Sequence, residues 1–390
     1  MVASRLKSLE RYCGLDLRSL ALFRVGLALV ICSDLLGRWD SLLTRSSAGL
    51  PGYWSIHGLS EAVGWQIGCF AIAILAALLM LFGYRTRWAT LVSWGMLVSL
   101  HNYNSLLVHA VDDGLRTILF WAMFLPLGSS YSIDQALNTS PQLQPKRIFT
   151  GAIFGLILQL GVMIVVLIKA PSLASGVIVC LLGLLFIPSW LWKHWTAWTP
   201  KQLGLKIYYD ADCGFCKKVV HLLRTFLVLP GRVPLQIAQS DPVIQTAMET
   251  HNSWVIVDWQ GQHHYKWHGI AYVVSLSPIV WPLAHGLRWS PLMSVGTRIY
   301  ETIANNRRFA GNFTKPFKFQ AFTARSSNLL NLVALAMLLL VVGWNLHGMT
   351  SHGADGQLPG VALVHRITQP VKLLSPLLQI TRLDHSWNLD

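Results

Sequence analysis

Charge is what this 390-residue chain has least of: Asp, Glu, Lys and Arg make up 12 % of it, against 53 % hydrophobic residues. Soluble domains carry about 25 % charged residues, so the composition excludes an ordinary water-soluble protein and points to a membrane. Lysine is missing altogether between Lys7 and Lys146. The charges that remain are unbalanced, 31 basic against 17 acidic, for a formal charge of +14. No basic stripe with interleaved base-stacking aromatics accompanies that excess, so nucleic acid is not an expected partner. Membrane lipids and the cytoplasmic flanks of spans account for the charge instead. The six cysteines include one closely spaced pair, which excludes a disulfide framework. Cys13, Cys32, Cys69 and Cys180 lie in or beside apolar segments, where free cysteine is usually a small buried hydrophobe. There is no internal repeat, which counts against a transporter built from inverted halves.

What is present is a series of apolar runs, at residues 17–36, 62–82, 88–100, 115–127, 149–168, 173–192 and 329–346. The first has no small-x-small cleavage site and contains Arg24 and Asp34, so it reads as a retained span facing a polar bundle interior. The third and fourth are shorter than the ~20 residues a span needs. Each therefore continues into polar residues that protein must shelter. Basic loop residues put the N-terminus, the Arg85/Arg87 turn, the Lys146/Arg147 linker and the insert after residue 200 on the cytoplasmic side. The expectation is an integral protein of the cell (inner) membrane. Cys32 and Cys69 would then lie at similar depth toward the outer face, where they could form a second redox pair.

Residues 205–226, LKIYYDADCGFCKKVVHLLRTF, carry the clearest chemistry. A strand-like run to Tyr209 meets acidic turn residues. A helix-period pattern follows through Cys216, Val219, Val220, Leu223, Phe226 and Leu227. Cys213 and Cys216 thus fall at a helix start, where free backbone N–H groups and the helix dipole favour a thiolate. Lys217 and Lys218 push the same way, Asp210 and Asp212 against. A Cys-x-x-Cys pair one turn apart can close a disulfide, the first sulfur open to attack and the second placed to resolve a mixed disulfide. Two other readings remain: half of a zinc site completed by His221, His263, His264 or His268, and a docking module without redox activity. Downstream, 234–240 and 253–259 read as strands, 263–267 as the return of a hairpin turned at Gln260-Gly261, and 291–308 as an amphipathic helix.

At Asp210, Cys213 and Cys216 the chain resembles the DCC family of thiol-disulfide oxidoreductases, named for its Asp-x-x-Cys-x-x-Cys signature. Gly269 and Ala271 at a helix start, and Tyr300 and Arg307 in the closing helix, extend the likeness over residues 204–312. The resemblance implies a small α/β thioredoxin-like domain with Cys213 and Cys216 as the catalytic pair, and a thiol- or disulfide-bearing client protein or small thiol as partner. One departure concerns the wider thioredoxin class: no proline stands just before the 253–259 strand, where a thioredoxin would place its cis-proline.

The N-terminal half resembles the HTTM family, the membrane domain shared with vitamin K-dependent gamma-glutamyl carboxylase. The matching residues are Leu22, Phe23 and Arg24 and the stretch 101–134, within a likeness covering 16–194. It implies a helical bundle with a polar pocket able to hold a quinone-like or lipid molecule. The lysine-free stretch removes the carboxylase base, so carboxylation is not carried over. Arg24, His101, Asn102, Asn104, His109, Asp113 and Arg116 form the pocket constellation, and the blander reading is that Arg24 or Arg116 pairs with Asp113 to hold helices together. The expected architecture is an α-helical polytopic membrane bundle (1–200), the inserted redox domain (201–312, cytoplasmic), and a final span with a tail (313–390). The expected function is a membrane-anchored thiol-disulfide oxidoreductase. The alternative is a lipid- or peptide-handling membrane protein with the redox fold as a docking element.

Overall fold

The computed structural model describes residues 14–39, 54–103, 108, 110–140, 145–195, 198–230, 233–324, 327–352, 367–381 and 383. The chain forms two compact units, one of Met1–Ser130, Gln144–Ile187 and Thr323–Asp390, the other of Tyr131–Leu143 and Pro188–Phe322.

The first unit is helical. A two-residue strand β1 (Leu15–Asp16) pairs antiparallel with β2 (Arg147–Ile148). Helix α1 (Leu17–Gly37) starts where the Asp16 carboxylate accepts the Arg18 N–H at 2.9 Å. Then come α2 (Val63–Phe82), α3 (Thr86–Tyr103) and α4 (Ala110–Ala122). Gly83 ends α2 at φ 70°, a left-handed C-cap suited to a residue without Cβ. Helices α5 (Ala152–Lys169) and α6 (Leu173–Leu185) follow, and the chain returns later as helix Asn328–His352. Among the described residues, four helices are long and apolar enough to cross a membrane: Leu17–Gly37, Val63–Phe82, Ala152–Lys169 and Asn328–His347.

Three expected spans come out differently, the first being the 88–100 run, which lies in the 18-residue α3 and is not among those four helices. The 115–127 run is the end of the 13-residue α4, which stops at Ala122 before a turn through Pro126. Leu115, Ile118, Leu119 and Trp121 on it are buried, so its apolarity fills the bundle core rather than facing lipid. Gly155 of α5 lets that core close, since a Cβ there would come within 2.5 Å of the Trp121 ring. The 173–192 run breaks after Leu185, and a separate helix Ser189–Trp195 begins past Pro188. Proline has no N–H to continue the ladder and crowds the preceding turn.

The second unit is a three-layer α/β fold. Strands β3 (Lys206–Tyr209), β4 (Leu235–Ile237), β5 (Val255–Val257) and β6 (His263–His264) form one sheet in the order β4-β3-β5-β6, parallel between β3 and β4 and antiparallel elsewhere. Alternation along β3 divides the core. Ile207 and Tyr209 pack on one face with Cys216, Val220, Ile256 and Val273. Tyr208 and Val255 pack on the other with Ala238, Ile244 and Met248. Helix α7 (Gly214–Phe226) and α9 (Lys266–Ser275) cover the first face, and α8 (Pro242–His251) the second. Three more helices complete the unit, α10 (Leu283–Leu287), α11 (Ser290–Asn305) and α12 (Arg307–Phe313). The hairpin turns at Gly261, φ +85°, with the Asp258 carboxylate taking the N–H groups of Gln260 and Gln262 at 2.9 and 2.8 Å. The return strand is shorter than its pattern suggests: Lys266 and Trp267 already belong to α9. Tyr131–Leu143 contributes a short helix, Ile133–Ala136, and a bridge from Asn138 to Gln320.

Candidate functional site

Cys213 and Cys216 close a disulfide at the start of α7, with Cα atoms 5.2 Å apart. Cys213 is the N-cap: its backbone is extended, and its sulfur accepts the Cys216 N–H at 3.2 Å. A negative charge on that sulfur would be met by an unpaired helix N–H and the positive end of the dipole. The two sulfurs sit in different surroundings. Cys213 is half-buried at the surface, whereas Cys216 is 2 % exposed within the apolar layer under β3.

The acidic turn before the pair is pinned from three sides. The Asp210 carboxylate accepts Asp212 N–H at 3.1 Å and Gln239 Nε2 at 2.8 Å, and lies 3.7 Å from Arg307 Nη1. Arg307 is fixed in turn by the Asn252 side-chain oxygen at 2.6 Å. The guanidinium offsets the charge that Asp210 would otherwise direct against a thiolate. Of the lysines that follow, Lys218 donates to the Thr314 carbonyl at 2.7 Å and Lys217 lies over the Phe319 ring.

The remaining motif residues have structural roles. A Cβ at Gly269 would meet Ile256 Cδ1 at 2.7 Å and the His264 carbonyl at 3.2 Å, so only glycine lets α9 approach the sheet this closely. Ala271 beside it is 1 % exposed. The Tyr300 hydroxyl accepts the Trp254 N–H at 3.1 Å and the Ser253 hydroxyl at 3.2 Å. The main chain entering β5, where the sequence has no proline, is thus held by a side chain of α11. Against Cys216 lies a small apolar cavity of about 140 Å³, walled by Phe215, Trp254, Tyr300 and Ile303 with Arg307 at its edge. Sequence reading missed it, because its walls come from α7, β5 and α11, far apart in the chain.

The four histidines considered as zinc ligands are engaged separately. His221 packs edge-on against Phe319, and burial, then Arg224 and Lys217, push its pKa down to about 4. His264 is stacked on Tyr272 and lies 3.2 Å from the Asp258 carboxylate. His263 meets Tyr265, and His268 borders an open basin on α11. Among the described residues, the three-donor group capable of holding a metal is Asp34, His101 and Asp112, which includes neither Cys213 nor Cys216.

That group belongs to the first unit and reshapes the expected constellation. Arg116, 1 % exposed, donates to Asp113 and lies 2.9 Å from His101 Nδ1. Asn102 donates instead to the Trp54 carbonyl at 2.8 Å, and Arg24 to the carbonyls of Leu127 and Ser130 at 3.0 and 3.2 Å. Asn104 and His109 lie outside the described residues. Sequence reading missed Arg38 and Asp112. Arg38 donates to Asp34 at 2.8 Å and Asp112 at 2.5 Å, placing its own charge between the two carboxylates of the candidate metal group. The i,i+4 spacing of Asp34 and Arg38 was the available signal. Cys32 and Cys69 both carry free thiols, the second buried, and Cys13 lies outside the described residues.

No curated protein and no solved structure matched this chain. The cysteine pair and its helix cap lie within residues 207–312, and that stretch matches the family model of the DCC1-like thiol-disulfide oxidoreductases.

Proposed function

We propose that the protein is a membrane-anchored thiol-disulfide oxidoreductase in which Cys213 exchanges with the client and Cys216 resolves. The observation that carries this reading is the asymmetry of the pair: a half-buried, helix-capping Cys213 in front of a buried Cys216. In the dithiol form, the Cys213 thiolate attacks one sulfur of a client disulfide. A protein–client disulfide forms and one client thiolate leaves. Cys216, losing its proton to water, then attacks the Cys213 sulfur, closing the 213–216 disulfide and expelling the second client thiolate. Two electrons pass from protein to client, and two molecules of a small cytosolic thiol, leaving as their own disulfide, restore the dithiol. The cavity against Cys216 would take an apolar side chain next to the reacting cysteine of the client.

Anchoring rests on the four apolar helices, and the basic-residue distribution favours a cytoplasmic domain, where thiol pools keep disulfides reduced. Reduction of the client is therefore the working direction. The test is a trap. Full-length Cys216→Ala is expressed in the native host, thiols are quenched with acid, and adducts on Cys213 are identified by mass spectrometry. A discrete, repeatable client supports the reading; glutathione alone, or nothing, removes it.

The network of buried Arg116 and His101 with the partly exposed Asp113 motivates a second reading, a bundle that handles a lipid or peptide and uses the redox fold for docking. It predicts that His101→Ala damages function more than any cysteine substitution. A quinone or lipid held by an HTTM-like bundle belongs to this reading.

A further inference from the structure

The amphipathic helix α11 and the turn before it carry two features that the redox chemistry does not use. One is an apolar stripe: Leu292, Val295 and Ile299 recur at helical spacing, flanked by Trp281 and Trp289, and all five are 42 % to 64 % exposed. The other is an open basin of about 590 Å³ on the same helix, bordered by His268, Arg288, Arg298, Ser294 and Thr297. Arg288 gives one N–H to the Ser275 hydroxyl, and Arg298 has no carboxylate partner among the described residues. Residues 278–322 hold six Lys or Arg and a single acid, Glu301, whose carboxylate is taken by Lys266 at 2.6 Å.

We propose that α11 and the turn before it dock onto an anionic phospholipid surface, with the stripe and its tryptophans at acyl-chain level and Arg288 and Arg298, at the start and flank of the helix, reaching headgroup phosphates. Exposed tryptophans beside a basic patch suit the boundary between headgroups and hydrocarbon. The two guanidiniums suit a phosphate monoanion, while the Ser294 and Thr297 hydroxyls donate to the Pro291 and Met293 carbonyls of their own helix. A second copy of the chain is a poorer occupant, because it would bring the same positive charge against itself. A soluble anion would leave the adjoining stripe in water. The proposal rests on the membrane anchoring above only in that the anchor brings a bilayer within reach.

The test uses full-length protein reconstituted in vesicles of phosphatidylcholine, with or without phosphatidylglycerol, doped with a phospholipid carrying a diazirine on its acyl chain. Adducts are located by mass spectrometry, and the apolar helices serve as internal control. Adducts on residues 281–299 are expected in the anionic vesicles. They should fall at least about fivefold when Arg288 and Arg298 are both changed to Gln, since each basic residue near a charged surface adds about that factor. Val295→Asp with Ile299→Asp should also abolish them, and inorganic phosphate at constant ionic strength should not compete. Labelled apolar helices with an unlabelled 281–299 would overturn this docking and leave the anchoring intact. Unlabelled apolar helices would overturn both. Equal labelling without phosphatidylglycerol, competition by phosphate, or cross-links to a second copy would each overturn it as well.

Discussion

Arg24 and Arg116 of the first unit are 1 % exposed, whereas every described Lys or Arg side chain of the second unit stands at least partly in solvent. The helical unit buries charge and satisfies it with carbonyls from a later segment at Arg24, and with Asp113 of the same helix and His101 of α3 at Arg116. The α/β unit packs mainly apolar side chains against its sheet; its buried carboxylate Asp258 is met by the N–H groups of its own turn, and its basic side chains stay at the rim. A buried charge without its partner is far costlier than one at a surface. The two units should therefore fail in different ways, the first through a broken ion network and the second through lost chemistry with the fold intact.

The largest expected effect is chemical. Cys213→Ser should abolish exchange with a model disulfide while leaving the thermal unfolding of the second unit nearly unchanged, because the site is half-exposed and the hydroxyl can still cap α7. A large loss of stability would erase the contrast between the units. Next comes Arg116→Leu, which takes the guanidinium away from buried His101 and the partly exposed Asp113 and should cost about 2 kcal/mol of stability in detergent. Adding Asp113→Asn should recover much of that loss; no recovery would mean the pair is not the source.

A smaller effect comes from pH. The folded pKa of His221, about 4, lies below its ordinary value of 6.5, so the unfolded chain takes up a proton that the folded one refuses. Its contribution is fully present above pH ~6.5 and is lost as the pH falls toward ~4, on the order of 2 kcal/mol. Unfolding measured across that window should lose this slope in His221→Asn. Smallest is Tyr300→Phe, which leaves the Trp254 N–H without its acceptor and should cost about 1 kcal/mol. Hydrogen exchange at Trp254 should quicken, with exchange chemistry at Cys213 preserved.

How much of this was legible beforehand follows the range of the interactions. The cap at Cys213, the alternation of Ile207, Tyr208 and Tyr209, and the turn at Gly261 depend on residues within a few positions, and the pattern displays them. The clamp from Tyr300 to the start of β5 depends on an approach across 46 residues, and the cavity beside Cys216 on the still longer approach of Tyr300, Ile303 and Arg307 to Phe215 and Cys216. The 115–127 run shows a further limit: apolarity reports that a segment leaves water, and lipid and protein interior are both ways of doing so. Asp113 was singled out with Arg116 and does pair with it, yet Asp112, one position earlier on the same helix, turns to Arg38 at the C-terminal cap of α1. That division follows from the 100° step between neighbouring helix positions and from which helix happens to lie opposite.

Composition and local pattern by themselves determined that this chain has segments fit for a membrane and a Cys-x-x-Cys pair capping a helix behind a buried strand. Hydropathy and capping act over single turns, so they survive in one dimension. Only the tertiary structure decided that Cys216 sits beside an apolar cavity edged by Arg307, and which carboxylate meets which buried arginine. Those outcomes depend on distant segments packing at contact distance, where desolvation makes each polar partner compulsory.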